Sequence, residues 1–347
     1  MSSVSSPSRK EAARREQARR DNREAPSRRE LYILCSVLLL SCLCACGTDM
    51  AAAGHSVALI TKSTDSEFFL SVFAGARVAA TEYNLELTIS GPGTEEDYET
   101  QNRMIAQAVE DGVEAIVFSA ISYEENAAAI DAAAQAGVKV VSIDSGVGSG
   151  QVSAYIGTDN YAAGQMAASA ALEGVEGALN VGIVSYSEGT ANGQARVQGA
   201  VDALAESGRA QIAAVLTTLV DVPRAQTDTV RLLLDHPEIN VLIAFNEPTS
   251  VGTALAVRTL ERGDDIFVVG FDSNVVTVDA LQEGWVDALV VQNPYAMGYL
   301  GVERAYRLLS GKEDGERTID TSTRIVTREN LFTTDVQKAL FAFEPEG

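Results

Sequence analysis

The chain has 347 residues, 46% of them apolar and 6% aromatic, and 48 Asp plus Glu against 26 Lys plus Arg give a net charge of −22. Such a composition is globular, long enough for two lobes with cores of their own, and its acidity repels nucleic acid. All four cysteines fall between Cys35 and Cys46, and His55 and His236 are the only histidines, which excludes disulfide scaffolds, cysteine zinc sites and multi-histidine metal centres from the rest.

In chain order the first element is a leader. Residues 1 to 30 hold nine basic and five acidic groups and almost nothing apolar. The run LYILCSVLLLSCLCA from Leu31 to Ala45 follows. As a helix it spans about 22 Å, short of the ~30 Å hydrocarbon core, so it reads as a signal peptide rather than a membrane span. Its end, Leu43-Cys44-Ala45-Cys46-Gly47, resembles the lipobox of bacterial lipoproteins and implies Cys46 as the lipidated mature N-terminus, with Cys42 a weaker candidate. Residues 1–45 are thus expected to leave, and 46–55 to form a tether. Removing the leader leaves 17 basic and 43 acidic groups, a net −26.

From Ser56 short β-branched runs alternate with longer amphipathic stretches. Strands are predicted at 57–61, 85–90, 115–120, 139–144, 179–185, 213–220, 241–246, 266–272 and 288–293. Their near-continuous apolar character marks parallel strands covered on both faces. Helices are predicted at 68–83, 96–111, 124–136, 160–174, 190–207, 224–235, 248–262 and 294–310, with Asp159 or Asn160 as one N-cap and Gly112 and Gly137 just past C-termini. The alternation means an α/β doubly wound architecture, and nine strands exceed one ordinary sheet of this type, so two similar lobes fit best.

In open α/β sheets ligands bind beyond the carboxyl ends of strands. Those positions carry Lys62 and Ser66, Ser119, Asp144-Ser145, Ser185, Asn246-Glu247, Asp272 and Gln292-Asn293, with Phe68, Phe69 and Phe271 beside them. Carboxylates and amides suit vicinal hydroxyls, and flat aromatic faces suit the C–H face of a sugar ring. Taken singly, none of these residues makes a site, because a lone Asp after a strand more often caps the next helix or closes an Asx-turn and paired Phe at a helix start is usually core.

Taken together, the segments STDSEFFLSVFAGA, VVSIDSG, IGTDNYAAG, AFNEPTSVG, VVGFD and VVQNPYAMG resemble the ribose-type family of ABC-transporter sugar-binding proteins over about Ser56 to Ile325. That resemblance implies the type I periplasmic binding protein fold: two doubly wound parallel-sheet lobes joined by three crossovers, an N-terminal lobe of 56–158 plus 293–321 and a C-terminal lobe of 159–292 plus 322–347. It implies ligand contacts at Ser66, Phe68, Phe69, Asp144, Asn246, Phe271, Asp272 and Gln292, a hinge and cap at Asp159 and Asn160, and a structural role for Arg196. Ser145 and Gln194 stand where ribose binders typically carry Arg, and Val220 replaces an aromatic. Lys62 stands where a small polar residue is usual, bringing a cation into the cleft from the other side. These departures point away from ribose toward another pentose, a hexose, a polyol or another small polar molecule.

The implied function is an extracytoplasmic lipoprotein of an ABC importer that closes over a monosaccharide or polyol and delivers it to permease subunits as a monomer. The alternative is a receptor whose closed form docks on a chemoreceptor or sensor kinase. No nucleophile motif, metal-ligand spacing, calcium loop or dinucleotide fingerprint stands in the sequence, so neither catalysis nor a cofactor is expected.

Overall fold

The computed structural model describes residues 54–312 and 315–340, together with Arg14. The leader, Cys42, Cys46 and most of the tether, and residues 341–347 of the C-terminal lobe, lie outside the described residues. His55, assigned to the tether by sequence, instead belongs to the first lobe. Its carbonyl accepts the N–H of Glu86 at 2.9 Å and its Nδ1 lies 3.0 Å from Glu114 Oε1, so the backbone is already paired before β1 begins.

The first half of the chain runs β1 (Ser56–Ile60), α1 (Glu67–Glu82), β2 (Glu86–Ser90), α2 (Tyr98–Glu110), β3 (Ala115–Phe118), α3 (Ala127–Gln135), β4 (Lys139–Ile143) and β5 (Ala154–Gly157). The second half repeats the pattern with α4 (Asn160–Gly174), β6 (Leu179–Tyr186), α5 (Ala191–Glu206), β7 (Ala210–Thr218), α6 (Val222–Asp235), β8 (Val241–Ala244), α7 (Glu247–Thr259), β9 (Phe267–Phe271), α8 (Val275–Glu283) and β10 (Ala288–Val291). It ends with α9 (Pro294–Leu309), β11 (Thr318–Asp320), β12 (Arg324–Thr327) and α10 (Thr334–Leu340).

Two six-stranded sheets result, ordered β11-β5-β4-β3-β1-β2 and β12-β10-β9-β8-β6-β7. Every pairing is parallel except β10 with β12. The chain passes between sheets three times, after Gly157, after Val291 and after Asp320. The two doubly wound lobes expected from the sequence are therefore present. Strands β5, β11 and β12 and helices α8 and α10 were not expected. The three strands are three or four residues long, too short to show a period. Helix α8 has only nine residues, although Asn274 caps its start and Gly284, at φ 88°, closes its end.

Strand residues alternate between two cores in each lobe, which is why the runs look continuously apolar. In the first lobe Val57, Leu59 and Val117 face Phe69, Val72, Phe73 and Val302 of α1 and α9, whereas Ala58, Ile60 and Ile116 face Ile105 and Ile130 of α2 and α3. In the second, Val181, Ile183 and Val241 face α4 and α5, whereas Val184 and Leu242 face α6 and α7.

The same device sets the inner helix pair of each lobe. A Cβ on Gly75 would lie 2.0 Å from the carbonyl of Tyr295, and one on Gly298 would lie 1.9 Å from that of Val72, so α1 and α9 meet backbone to backbone. Gly164 and Gly199 do the same for α4 and α5, at 2.1 Å from the carbonyl of Arg196 and 2.0 Å from that of Tyr161. These contacts fix the helix starts that carry Phe68, Phe69 and Asn192 to the cleft.

Candidate functional site

In both sheets the strand order reverses at the first strand of the lobe, between β1 and β3 and between β6 and β8. Crevices open at such switch points. The residues just beyond these strands converge on one cavity, lined by Lys62, Asp144, Tyr186, Asn246, Asp272 and Gln292. Ser66, Phe68 and Phe69 from the start of α1, Glu95 from the β2–α2 loop, Asn192 and Arg196 from α5, and Glu247 and Pro248 from α7 complete the wall. The space left between them in this closed form is small, about 30 Å³.

The lobes are closed over it. Asn192 Nδ2 donates to Asp144 Oδ1 at 3.0 Å, and the N–H of Phe68 donates to Glu247 Oε2 at 2.9 Å. At the rim the N–H of Val220 donates to Glu96 Oε1 at 2.9 Å and the N–H of Tyr123 to the carbonyl of Gly189 at 2.8 Å.

Asp144 and Asp272 hold matching places after β4 and β9, and both adopt left-handed backbone, at φ 55° and 67°. Asp tolerates this region better than most residues, and strain of this kind gathers at sites that must aim a side chain. Asp144 accepts from Ser119 Oγ at 2.7 Å and pairs with the buried Lys62 Nζ at 3.2 Å, which also donates to Asn192 Oδ1 at 3.3 Å. Burial opposes the Lys62 ammonium, but Asp144, with Tyr186 and Glu95 behind it, holds its pKa above the ordinary value.

Asp272 accepts from Gln292 Nε2 at 2.7 Å, and Gln292 Oε1 accepts from Thr158 Oγ1 at 2.8 Å and Arg196 at 2.7 Å. Gln292 thus ties the first crossover to the second. Burial pushes Asp272 up to about 6 against the pull of Arg196 and Gln292. Arg196 is fully buried, donates also to Asn160 Oδ1 at 2.8 Å and the carbonyl of Phe245 at 2.7 Å, and lies 4.7 Å over the Phe271 ring. It both braces the hinge and faces the cavity. Asp159 caps α4 through the N–H of Ala162, and Asn160 bonds the carbonyl of Thr158.

Lys62, Ser66, Phe68, Phe69, Asp144, Asn246, Asp272 and Gln292 meet at the cavity, whereas Ser145, Gln194 and Phe271 do not. Ser145 is buried behind Asp144 with its hydroxyl unpartnered. Gln194 points outward from α5 to the carbonyl of Glu188, because two residues of helix, about 200° of rotation, separate it from Asn192 and from Arg196. Phe271 alternates inward as the last residue of β9 and packs on Phe245 at 5.5 Å, so it supports Arg196 from below. Ser66 and Asn246 serve as N-caps as well, accepting from Phe69 N–H at 3.2 Å and Thr249 N–H at 3.0 Å.

Glu95, Tyr186 and Asn192 were not singled out from the sequence. Tyr186 ends β6 one residue past the polar Ser185, and its hydroxyl donates to Asn192 Oδ1 at 3.1 Å. Glu95 sits in GPGTEE beyond the carboxyl end of β2, a position that the strand-end rule covers. Burial pushes Glu95 and Glu247 each up to about 7. Glu247 is held there by N–H donors of α1 and by Asn274 Nδ2 at 2.9 Å. Among the described residues no cluster of His, Cys, Asp and Glu is arranged to hold a metal, and no helix is long and apolar enough to cross a membrane.

Residues 57–313 match the family model described as Periplasmic binding protein domain. The chain belongs to that family. The ribose-type resemblance carried by its motifs is thereby borne out. A D-ribose/D-allose-binding protein of Pseudomonas aeruginosa is 26% identical over 282 residues, 78% of this chain and 88% of that protein. Among solved structures, a carbohydrate-transporter solute-binding protein of Agrobacterium radiobacter in complex with D-arabinose superposes with a TM-score of 0.80 at 27% identity, covering 83% of this chain and 99% of that one. An ABC-transporter solute-binding protein of Agrobacterium vitis with bound D-fucose gives 0.79 at 29% identity, covering 82% and 99%. This periplasmic binding protein thus shares its two-lobed fold with proteins solved with D-arabinose and with D-fucose bound.

Proposed function

We propose that the protein is the extracytoplasmic receptor of an ABC importer, a monomer tethered by a lipid on Cys46, which closes over one monosaccharide or polyol and presents the closed form to its permease. The observation that carries this reading is the cleft itself: carboxylates and amides from both lobes gathered around Phe68 and Phe69. Such groups bond the hydroxyl edge of a sugar while the aromatic rings take its C–H face. The names of its relatives support sugar as the ligand class and import as the use.

Mechanistically, each lobe contributes one half of the contacts, so only the closed state satisfies them all. A ligand stabilises closure by that difference in contacts. Ligand hydroxyls reach Asp144, Asp272, Asn246 and Gln292, and Lys62 pairs with Asp144 and aims it. A thermal-shift screen of the purified chain against pentoses, hexoses and polyols tests the reading. At least one sugar should raise the melting temperature, and Asp272→Ala should erase that rise. A rise with another metabolite class and with no sugar would overturn it.

A further inference from the structure

The β2–α2 loop places one acid in the cleft without a partner. Glu95 is nine-tenths buried and lines the cavity, yet among the described residues no hydrogen bond or ion pair reaches its carboxylate. Its burial comes from closure, because the adjacent Glu96 accepts the N–H of Val220 from the opposite lobe and carries the loop inward. Both cations of the cavity are committed elsewhere. Lys62 pairs with Asp144, while Arg196 is spent on Asn160, Phe245 and Gln292 beside Asp272. Lys62, the cation that acts on Glu95 of the first lobe, is thus shared with Asp144, and Glu247 of the second lobe is met by N–H donors of α1 and by Asn274 but by no ion pair.

A carboxylate taken out of water without a counter-charge is unfavourable, and a proton or a cation must join it. A neutral hydroxyl offers Glu95 one hydrogen bond and no charge. An ammonium offers three donors and the missing charge together. We propose that the ligand of this cleft is an aminated sugar or aminated polyol whose protonated amine is received by Glu95 and Glu247, while its hydroxyls take Asp272, Asn246 and Gln292. This assignment rests on the sugar reading of the same site. The groups facing Glu95 are Lys62, Asp144, Glu96 and Glu247, and those facing Glu247 are Asp272 and Glu67. Acids outnumber bases in that shell, so an added cation lowers its repulsion where an added neutral group does not.

Isothermal titration of the full chain with D-glucosamine, D-galactosamine and D-mannosamine, each beside its hydroxyl parent and its N-acetylated form, tests the inference. At least one amine should bind ten times more tightly than its parent, and acetylation, which keeps the nitrogen and removes the charge, should abolish the preference. In Glu95→Gln that preference should fall about tenfold. Because the comparison of amine, parent and acetyl form uses the wild-type chain, it decides the matter even if the variant fails to fold. Parents that bind as tightly as the amines, or a preference that survives Glu95→Gln in a folded variant, would overturn the amine and leave the sugar reading standing. Binding by none of these, nor by pentoses or neutral polyols, would overturn both.

Discussion

Asn192, one residue into α5, donates its amide to Oδ1 of Asp144 in the opposite lobe at 3.0 Å, while its own Oδ1 accepts from Lys62 at 3.3 Å and from Tyr186 at 3.1 Å. One side chain of the second lobe thus reads both members of a buried ion pair in the first. Closure and the integrity of that pair are linked.

Removing either charge should therefore cost stability as well as affinity. Asp144→Ala leaves the Lys62 ammonium buried without its counter-charge, and breaking a buried pair from one side typically costs about 3–5 kcal/mol. Lys62→Met leaves Asp144 with neutral donors only. In urea unfolding both single variants should be destabilised, and the double variant should lose clearly less than their sum. Additive losses would show that the pair is not coupled.

Glu247 acts as a latch. It belongs to the second lobe but accepts the N–H groups of Glu67 and Phe68 at the start of α1, where the helix leaves donors unpaired and favours negative charge. Glu247→Ala should shift the unliganded protein toward open forms, seen as a larger radius of gyration by small-angle scattering. An unchanged radius would remove the latch.

The raised carboxyls set a pH dependence of the unliganded protein. Glu95 and Glu247 lie at about 7 and Asp272 at about 6 when folded, above the ordinary carboxylate range they return to on unfolding. Between those values the folded chain binds more protons, so stability falls as pH rises from about 5 through 7 and flattens above about 8. Melting temperature should accordingly increase on acidification from pH 8 to 5. Below that the sign reverses, because Asp97 and Glu114, held low by hydrogen bonds to Thr100 and His55, lose their contribution once protonated. Saturating ligand that pairs with the carboxylates should flatten the first limb.

The proposed lipid attachment makes a separate prediction. Radiolabelled palmitate fed to expressing bacteria should label the chain, and Cys46→Ala should lose the label while Cys42→Ala keeps it. Label that follows Cys42 would move the attachment site four residues back.

How much of the site was legible depended on what each residue type says locally. Asp144, Asn246, Asp272 and Gln292 announce themselves because a polar group directly after an apolar strand must lie at its carboxyl end, where α/β sheets bind. The doubly wound lobes follow from the same runs, since a strand apolar on both faces needs cover on both. Gln194 and Phe271 misled because sequence adjacency says nothing of which side of a helix or strand meets the cleft, and Ser145 because Asp144, in left-handed backbone, turns the chain away. Asn192 and Tyr186 look like ordinary polar residues until the opposite lobe arrives. The sequence by itself determined the fold class and the strand-end carboxylates and amides, which rest on contacts local in the chain. The tertiary structure alone decided that Lys62 belongs to Asp144, that Gln292 ties the crossovers, and that Glu95 is buried with no hydrogen bond or ion pair among the described residues. Those facts arise only when two lobes close, because pairing and desolvation are properties of what surrounds a charge in space.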